Sequence, residues 1–212
     1  MDSLDPRNRP VRKVFTTRAG GVSQSPYASF NLGDHVGDDP QAVASNRNRL
    51  ADIIGLSPDK AVYMEQIHSN TVTVIDEAPA DGQAVEATDA LVTTQRGLAL
   101  AVLVADCVPV LLSDTDAGVI AAVHAGRMGA RNGIVAKTIA KMEELGAKPS
   151  RIHALMGAAA SGANYEVPEA MARDVEAKLP GSIARTTKGT TGLDIRAGLL
   201  RQMLSLGVQM ID

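Results

Sequence analysis

Residues 98–114 read LALAVLVADCVPVLLSD. An apolar run of this kind, bounded by polar segments, is the pattern of strands buried on both faces. Asp106 and Cys107 break into it, and Pro109, which has no amide hydrogen to give a sheet ladder, follows closely. The run therefore divides into two strands, residues 98–105 and 108–112. A carboxylate and the chain's one cysteine stand at their junction.

Outward from that junction the segments keep the same character. Residues 62–68, 71–76, 90–94 and 118–123 are short runs rich in Val, Ile or Leu, separated by turn residues. An earlier strand is expected over residues 13–17. It runs into TTRAGGVSQSPYASFNLGDHVGDDP, a long Gly-, Ser- and Asp-rich loop of a kind that is commonly functional. Asp39 reads as the N-cap ahead of Pro40 at the first helical position, and Gly55 closes that helix. Val43, Arg47, Leu50 and Ile54 share one face of it, so Arg47 interrupts an apolar stripe, with Asn46 beside it. After HAGRMGARNG, Ile134, Val135, Thr138, Ile139, Met142 and Leu145 recur at helical spacing up to Gly146. Residues 152–156 read as a strand, and helices are expected over about 168–179 and 195–206. Strands flanked by helices without strict βαβ alternation, and without a dinucleotide-binding glycine fingerprint, predict an α/β (α+β) sandwich with a mixed sheet.

The chain has 212 residues, enough for one domain with a sizeable core. Hydrophobic residues make up 45% and charged residues 21%, which is ordinary globular chemistry. There is no Trp, and aromatics amount to 2%, so the core is aliphatic and few rings are available to stack on bases. With a net charge of −3, that composition argues against a nucleic-acid partner. A single cysteine excludes an internal disulfide. The start MDSLDPRNRP lacks an apolar signal core, and no apolar stretch is long enough to span a bilayer. A soluble cytoplasmic protein with no membrane partner is the economical reading, and nothing divides residues 1–212 into domains. Oligomeric state is not written in the sequence.

Three potential metal ligands follow apolar runs in the central third: His68 in EQIHSN, Cys107 in ADCVPV and His124 in AAVHAGR. If their strands are neighbours, the strand ends converge. Two imidazoles and a thiolate make the donor set of a catalytic zinc site with one position left open. The wide gaps between them match no local zinc motif, and a lone buried Cys or His is more often plain core.

Taken in order, TTRAGGVSQSPYASFNLGDHVGDD, NRNRL, EQIHSNTV, TDALVT, ADCVPVLL, VHAGRMG and MGAAASGANYEV resemble the multicopper polyphenol oxidase (laccase) domain family. Its members are also described as purine nucleoside phosphorylases, and bacterial ones as peptidoglycan editing factors. The resemblance runs from Phe15 to about Met210. It implies α/β/β/α layers in a single domain and a zinc-dependent enzyme acting on purine nucleosides and phosphate. The implied reactions are phosphorolysis of adenosine, inosine and methylthioadenosine, and deamination of adenosine. It also implies that His68, Cys107 and His124 are the metal ligands and catalytic residues, so that the opening strand ends at the site and Pro109 is tolerated there. Arg18, Asn31 and Arg47 match family positions around the site and, with Gly126 and Arg127 of the loop after His124, are the candidate substrate and phosphate contacts; alone, Arg18, Asn31 and Arg47 each read more often as a turn or surface residue. Tyr165 and Glu166 match the family as well.

Two departures stand out. The family usually reads H-A-G-W-R-G, whereas Arg127 and Met128 occupy the Trp-Arg positions here. Family members also normally continue through a Cys-Thr element and a Ser-x-Arg-Arg segment to a last strand; either the protein is short or a further tail follows Asp212, and that Arg pair bears on phosphate binding. The Gly126 to Gly133 loop precedes a helix and reads either as an anion cradle or as a plain capping loop. Asp106 reads as an acceptor that orients a ligand, with a plain turn cap as the alternative. His35 and His153 receive no role.

Two other enzyme readings follow from the same residues. Cys107 can serve as a metal-free nucleophile activated by His124 or His68 in a hydrolase. Four-copper laccase chemistry needs on the order of ten imidazoles, and the chain has 4 histidines. That reading is rejected, although Cu(II) is an acceptable adventitious occupant of the zinc site. A non-enzymatic reading is a member that only recognises a nucleotide or cell-wall precursor.

Overall fold

The computed structural model describes residues 11–80 and 82–212. In chain order the elements are α1 (Pro40–Ile54), β1 (Ala61–Val62), β2 (Val72–Val74), β3 (Ala90–Thr93), β4 (Ala99–Leu100), β5 (Val108–Asp114), β6 (Val119–Ala125) and α2 (Arg127–Arg131). They continue as α3 (Ile134–Glu144), β7 (His153–Met156), α4 (Glu169–Glu176), β8 (Ile183–Arg185), β9 (Thr191–Leu193), α5 (Ile195–Ser205) and β10 (Met210–Ile211).

The centre is a six-stranded mixed sheet in the order β10-β7-β5-β6-β3-β2. β5 and β6 pair antiparallel along their full length, from Val108 opposite Ala125 to Asp114 opposite Val119. Alternation sorts their side chains. Val108, Val110 and Leu112 join Val119, Ala121, Val123 and Ala125 in the main core with Ile134, Ile139 and Met142 of α3 and Leu199 of α5. Pro109, Leu111, Ala122 and His124 face the other side, where they line a groove of about 1990 Å³. Leu91 of β3 also leaves the main core and packs with Val62, Met64 and Ile75 in a second apolar cluster. There β1 and β4 form a small parallel sheet. Arg47 of α1 stacks on Tyr63, immediately after β1, with its guanidinium carbon 4.0 Å from the ring centroid. Helices, large sheet, small sheet and α1 thus succeed one another, a mixed α/β single domain. Among the described residues, no helix is long and apolar enough to cross a membrane.

The first helix forms as its caps dictate. Asp39 accepts from the Gln41 amide, Pro40 fills the first turn, and Gly55 takes the left-handed conformation at the C-cap. Other segments differ from expectation. Residues 13–17 are not a strand. They run past β7 and touch it through side chains, Lys13 to His153 and Phe15 against Gly157. Both edges of β7 are already taken, by β5 and β10. Of residues 98–105, only Ala99–Leu100 is laddered. Past it, the Gln66 side-chain amide accepts from the Leu103 N–H at 2.8 Å and donates to the Leu103 carbonyl at 2.7 Å, replacing a neighbouring strand. Pro109 lies one position beyond the last β5–β7 pair, Val110 with Met156, so its missing N–H breaks no bond there. Its carbonyl still accepts from the Gly157 amide.

Candidate metal centre

The sheet register builds the site. Cys107 directly precedes β5 and His124 is the penultimate residue of β6, so the pairing of Val108 with Ala125 holds them side by side. His68 arrives from the turn after residues 61–67 with φ of 60°, a left-handed conformation unusual for a residue with a side chain. The ligand-capable atoms of His68, Cys107 and His124 all lie within 4.8 Å of one another. Cys107 Sγ is 3.9 Å from His68 Nε2. The two imidazoles meet edge to face, with centroids 4.7 Å apart and planes at 80°. His124 is buried, Cys107 is half-buried and His68 is exposed, so the cluster sits on the wall of the groove with one side open.

Gly126 makes that proximity possible. A Cβ built there would stand 3.0 Å from His68 Cδ2 and 3.1 Å from Cys107 Sγ, tight enough that one of those side chains would have to shift by a few tenths of an ångström. Gly126 is the N-cap of α2, a helix of 5 residues.

Asp89, fully buried just before β3, ties the cluster together. One carboxylate oxygen accepts from His124 Nδ1 at 2.8 Å and from the His68 amide at 3.0 Å. The other accepts from the Ser69 amide and hydroxyl, both at 2.7 Å, and from the Ile67 amide at 3.3 Å. One buried carboxylate thus holds the strained His68 turn and orients the His124 ring. Burial works to raise the Asp89 pKa, but hydrogen bonds from His124 and Ser69 override it and bring it to about 2. Burial likewise works to lower the His124 pKa; the bonds to Asp89 and Cys107 outweigh it and lift it to about 9. With Nδ1–H committed to Asp89, Nε2 is the nitrogen left for the cluster. Asp106, expected to orient a ligand, is exposed, and its carbonyl instead accepts from the Ala160 amide.

The remaining expected site residues are placed as follows. Arg18 and Asn31 line the groove together with His68 and Cys107. Arg18 donates to the Ala28 carbonyl at 3.2 Å, and Asn31 donates to Asp38 at 2.9 Å. Arg47 donates to the Leu32 carbonyl at 2.9 Å and pairs with Asp34 at 3.2 Å, so its guanidinium already has partners. Arg127 bends over its neighbour, with Nη1 3.3 Å from Met128 Sδ, and its charge acts on Asp174 of α4. Arg131 pairs with that same Asp174 through two hydrogen bonds, 2.5 and 2.6 Å long. Behind the Arg18–Asn31 loop, buried Asn46 accepts from the Val22 amide at 2.9 Å. Its amide nitrogen donates to the Asn31 carbonyl at 2.8 Å and to Ser23 Oγ at 3.0 Å.

Comparison with known proteins agrees with the architecture. The structure of YlmD from Geobacillus stearothermophilus superposes with a TM-score of 0.86 at 30% identity, covering 93% of this chain and 78% of that one. A Neisseria meningitidis protein, NMB0706, superposes with a TM-score of 0.80 at 34% identity over 92% of this chain and 78% of that one. In sequence, the chain is 55% identical over 202 residues to a Mycobacterium tuberculosis protein named purine nucleoside phosphorylase Rv2149c, covering 95% of this chain and 80% of the relative. It is 49% identical over 195 residues to purine nucleoside phosphorylase ORF3 of Streptomyces griseus, covering 92% of this chain and 79% of the relative. The family model described as multi-copper polyphenol oxidoreductase laccase matches residues 12–212, and the chain belongs to that family.

Proposed function

We propose that this protein is a cytoplasmic purine nucleoside phosphorylase whose His68–Cys107–His124 centre holds zinc, and that it also deaminates adenosine and phosphorolyses methylthioadenosine. The observation that carries the reading is the convergence of those three side chains in a chain 55% identical to proteins named purine nucleoside phosphorylase. The residues present fit the metal. Two imidazoles and one thiolate are a zinc donor set with a position to spare, Gly126 leaves the space, and Asp89 fixes the His124 tautomer. Cu(II) fits the same donors as an adventitious occupant.

Zinc bound there supplies Lewis acidity at the groove wall. The chain's own residues do the rest. Asp89 keeps the His124 ring fixed by holding its Nδ1 proton. Arg18 lines the groove that the cluster opens into and provides a guanidinium for phosphate oxygens, while Asn31, whose two amide hydrogens go to the Gly33 carbonyl and Asp38, fixes the loop beside it. Arg47 acts behind them by fixing the Leu32–Asp34 backbone and the Tyr63 ring. Gly126 and Arg127 serve through α2, the glycine by its lack of bulk.

The test is product analysis on inosine, adenosine and methylthioadenosine with and without phosphate. Free base and pentose 1-phosphate should form only with phosphate, and ammonia should form from adenosine without it. No base release from any of the three would overturn the reading. A second reading, Cys107 as a metal-free nucleophile, draws on its 3.9 Å approach to His68 Nε2 and on the Asp89–His124 pair. It requires turnover that survives chelation.

A further inference from the structure

Lys13 lines the same groove as the metal centre but belongs to a separate chain of polar contacts. Its Nζ lies 2.7 Å from the His153 carbonyl oxygen and 3.0 Å from His153 Nδ1. On the far side of that ring, Nε2 is 2.8 Å from Asp212 Oδ2. The carboxylate sets the tautomer: an ionised Asp212 only accepts, so Nε2 carries the hydrogen and Nδ1 presents its lone pair to Lys13. Lys60, Lys141 and Lys188 instead face carboxylates directly, in Asp59, Glu144 and Glu166.

Nζ meets two neutral acceptors and, among the described residues, no carboxylate in direct ion-pair contact, unlike those other lysines. Partial burial lowers the Lys13 pKa to about 8, with the Asp212 charge opposing. Phe15, Val11 and Leu155 line the groove nearby, an apolar wall that favours neutral reactants.

We propose that Lys13 is a nucleophilic amine that captures an aldehyde with an apolar body as an imine, with His153 as the proton carrier. This goes beyond the nucleoside reading and does not depend on the metal centre. The Nζ lone pair forms a bond to the carbonyl carbon while the C=O π pair moves onto oxygen. One Nζ proton passes through His153 Nδ1 to the new alkoxide, giving the carbinolamine. His153 Nδ1 then takes up a proton from solvent water and gives it to the hydroxyl, which departs as water; the same Nδ1 accepts the iminium proton and returns it to solvent. Amine plus aldehyde becomes imine plus water, with no oxidant or reductant.

The experiment is brief exposure of the intact protein to butanal with cyanoborohydride at pH 7, followed by peptide mass mapping of the butylated lysines. With its pKa lowered to about 8, Lys13 should be labelled at least ~10-fold ahead of Lys60 and Lys137. His153→Gln should reduce that lead several-fold, and Lys13→Arg should remove the labelled peptide. Labelling of Lys13 no faster than of Lys60 in the wild type would overturn the proposal. An undiminished lead in His153→Gln would overturn the proton-carrier role. Neither readout involves phosphorolysis, so failure here leaves the nucleoside reading untouched.

Discussion

Replacing Asp89 by Asn tests whether one buried carboxylate holds the site together. The substitution keeps the shape and exchanges one acceptor oxygen for an NH₂ donor. If the nitrogen takes the place of the oxygen facing Ser69, the amides of Ser69 and Ile67, now 2.7 and 3.3 Å from an acceptor, meet a donor. If it takes the other place, the His68 amide loses its acceptor, and the His124 ring must accept at Nδ1 and carry its proton on Nε2. That tautomer cannot coordinate through Nε2. Each orphaned buried donor costs ~1–3 kcal/mol, so the expected loss of stability is about 3 kcal/mol. In a chain of 212 residues, that corresponds to a fall in Tm of about 6–12 °C. Zinc affinity should fall ~10–100-fold, the usual effect of losing the partner that orients a ligating imidazole. Denaturant titration gives the first quantity, and competition against a chromophoric chelator gives the second. Ser69→Ala removes one hydroxyl and should cost only ~1 kcal/mol. An Asp89→Asn protein within ~0.5 kcal/mol of wild type, with unchanged zinc affinity, would refute the assignment.

Gly126→Ala should cost little stability, since φ at −68° suits any residue, but its Cβ pushes on His68 and Cys107; zinc affinity should drop at least ~10-fold by analogy with other mispositioned ligands, and equal occupancy in dialysis against limiting zinc would contradict this. Asn46→Ala leaves the Val22 amide and the Asn31 carbonyl without their partner and should destabilise by ~1–3 kcal/mol, raising KM more than it lowers kcat; a pure kcat effect would point to a different role. The raised His124 pKa, about 9, means that metal-free protein at pH 7 carries an imidazolium that zinc must displace. Apparent zinc affinity should therefore rise with pH by up to ~10-fold per unit and flatten above that pKa. Calorimetry in buffers of different ionisation enthalpy should show proton release, and none at pH 7 would be inconsistent with the Asp89–His124 pair.

Legibility in the sequence followed how local each determinant is. α1 was readable because Asp39, Pro40 and Gly55 act within one turn of the helix ends. α3 was readable from its apolar spacing. The three ligand candidates stood out because His and Cys are conspicuous at the ends of apolar runs. Residues 98–105 misled because apolar character reports burial, whereas a ladder needs a neighbour, and Gln66 supplies its amide instead. The strand expected at residues 13–17 failed for a similar reason, with both edges of β7 occupied. The hairpin of β8 and β9 was missed because three-residue strands in SIARTTKGTTGL carry no usable alternation. Asp89 was invisible for a deeper reason. In TDALVT it reads as a turn residue before a strand, and its partners lie 20 to 35 residues away. Arg47 shows the converse: its match to the family pointed to an anion, but its place beside Asp34 and Tyr63 comes only from tertiary packing.

The most direct test of the central claim is the zinc content of purified wild-type protein and of Cys107→Ala, measured beside phosphorolysis of inosine. The account predicts one zinc per wild-type chain, and metal and turnover lost together in the variant while the fold persists, since the thiol contributes little apolar bulk and its loss costs only ~1 kcal/mol. Wild-type protein that keeps full phosphorolysis after exhaustive chelation would contradict it.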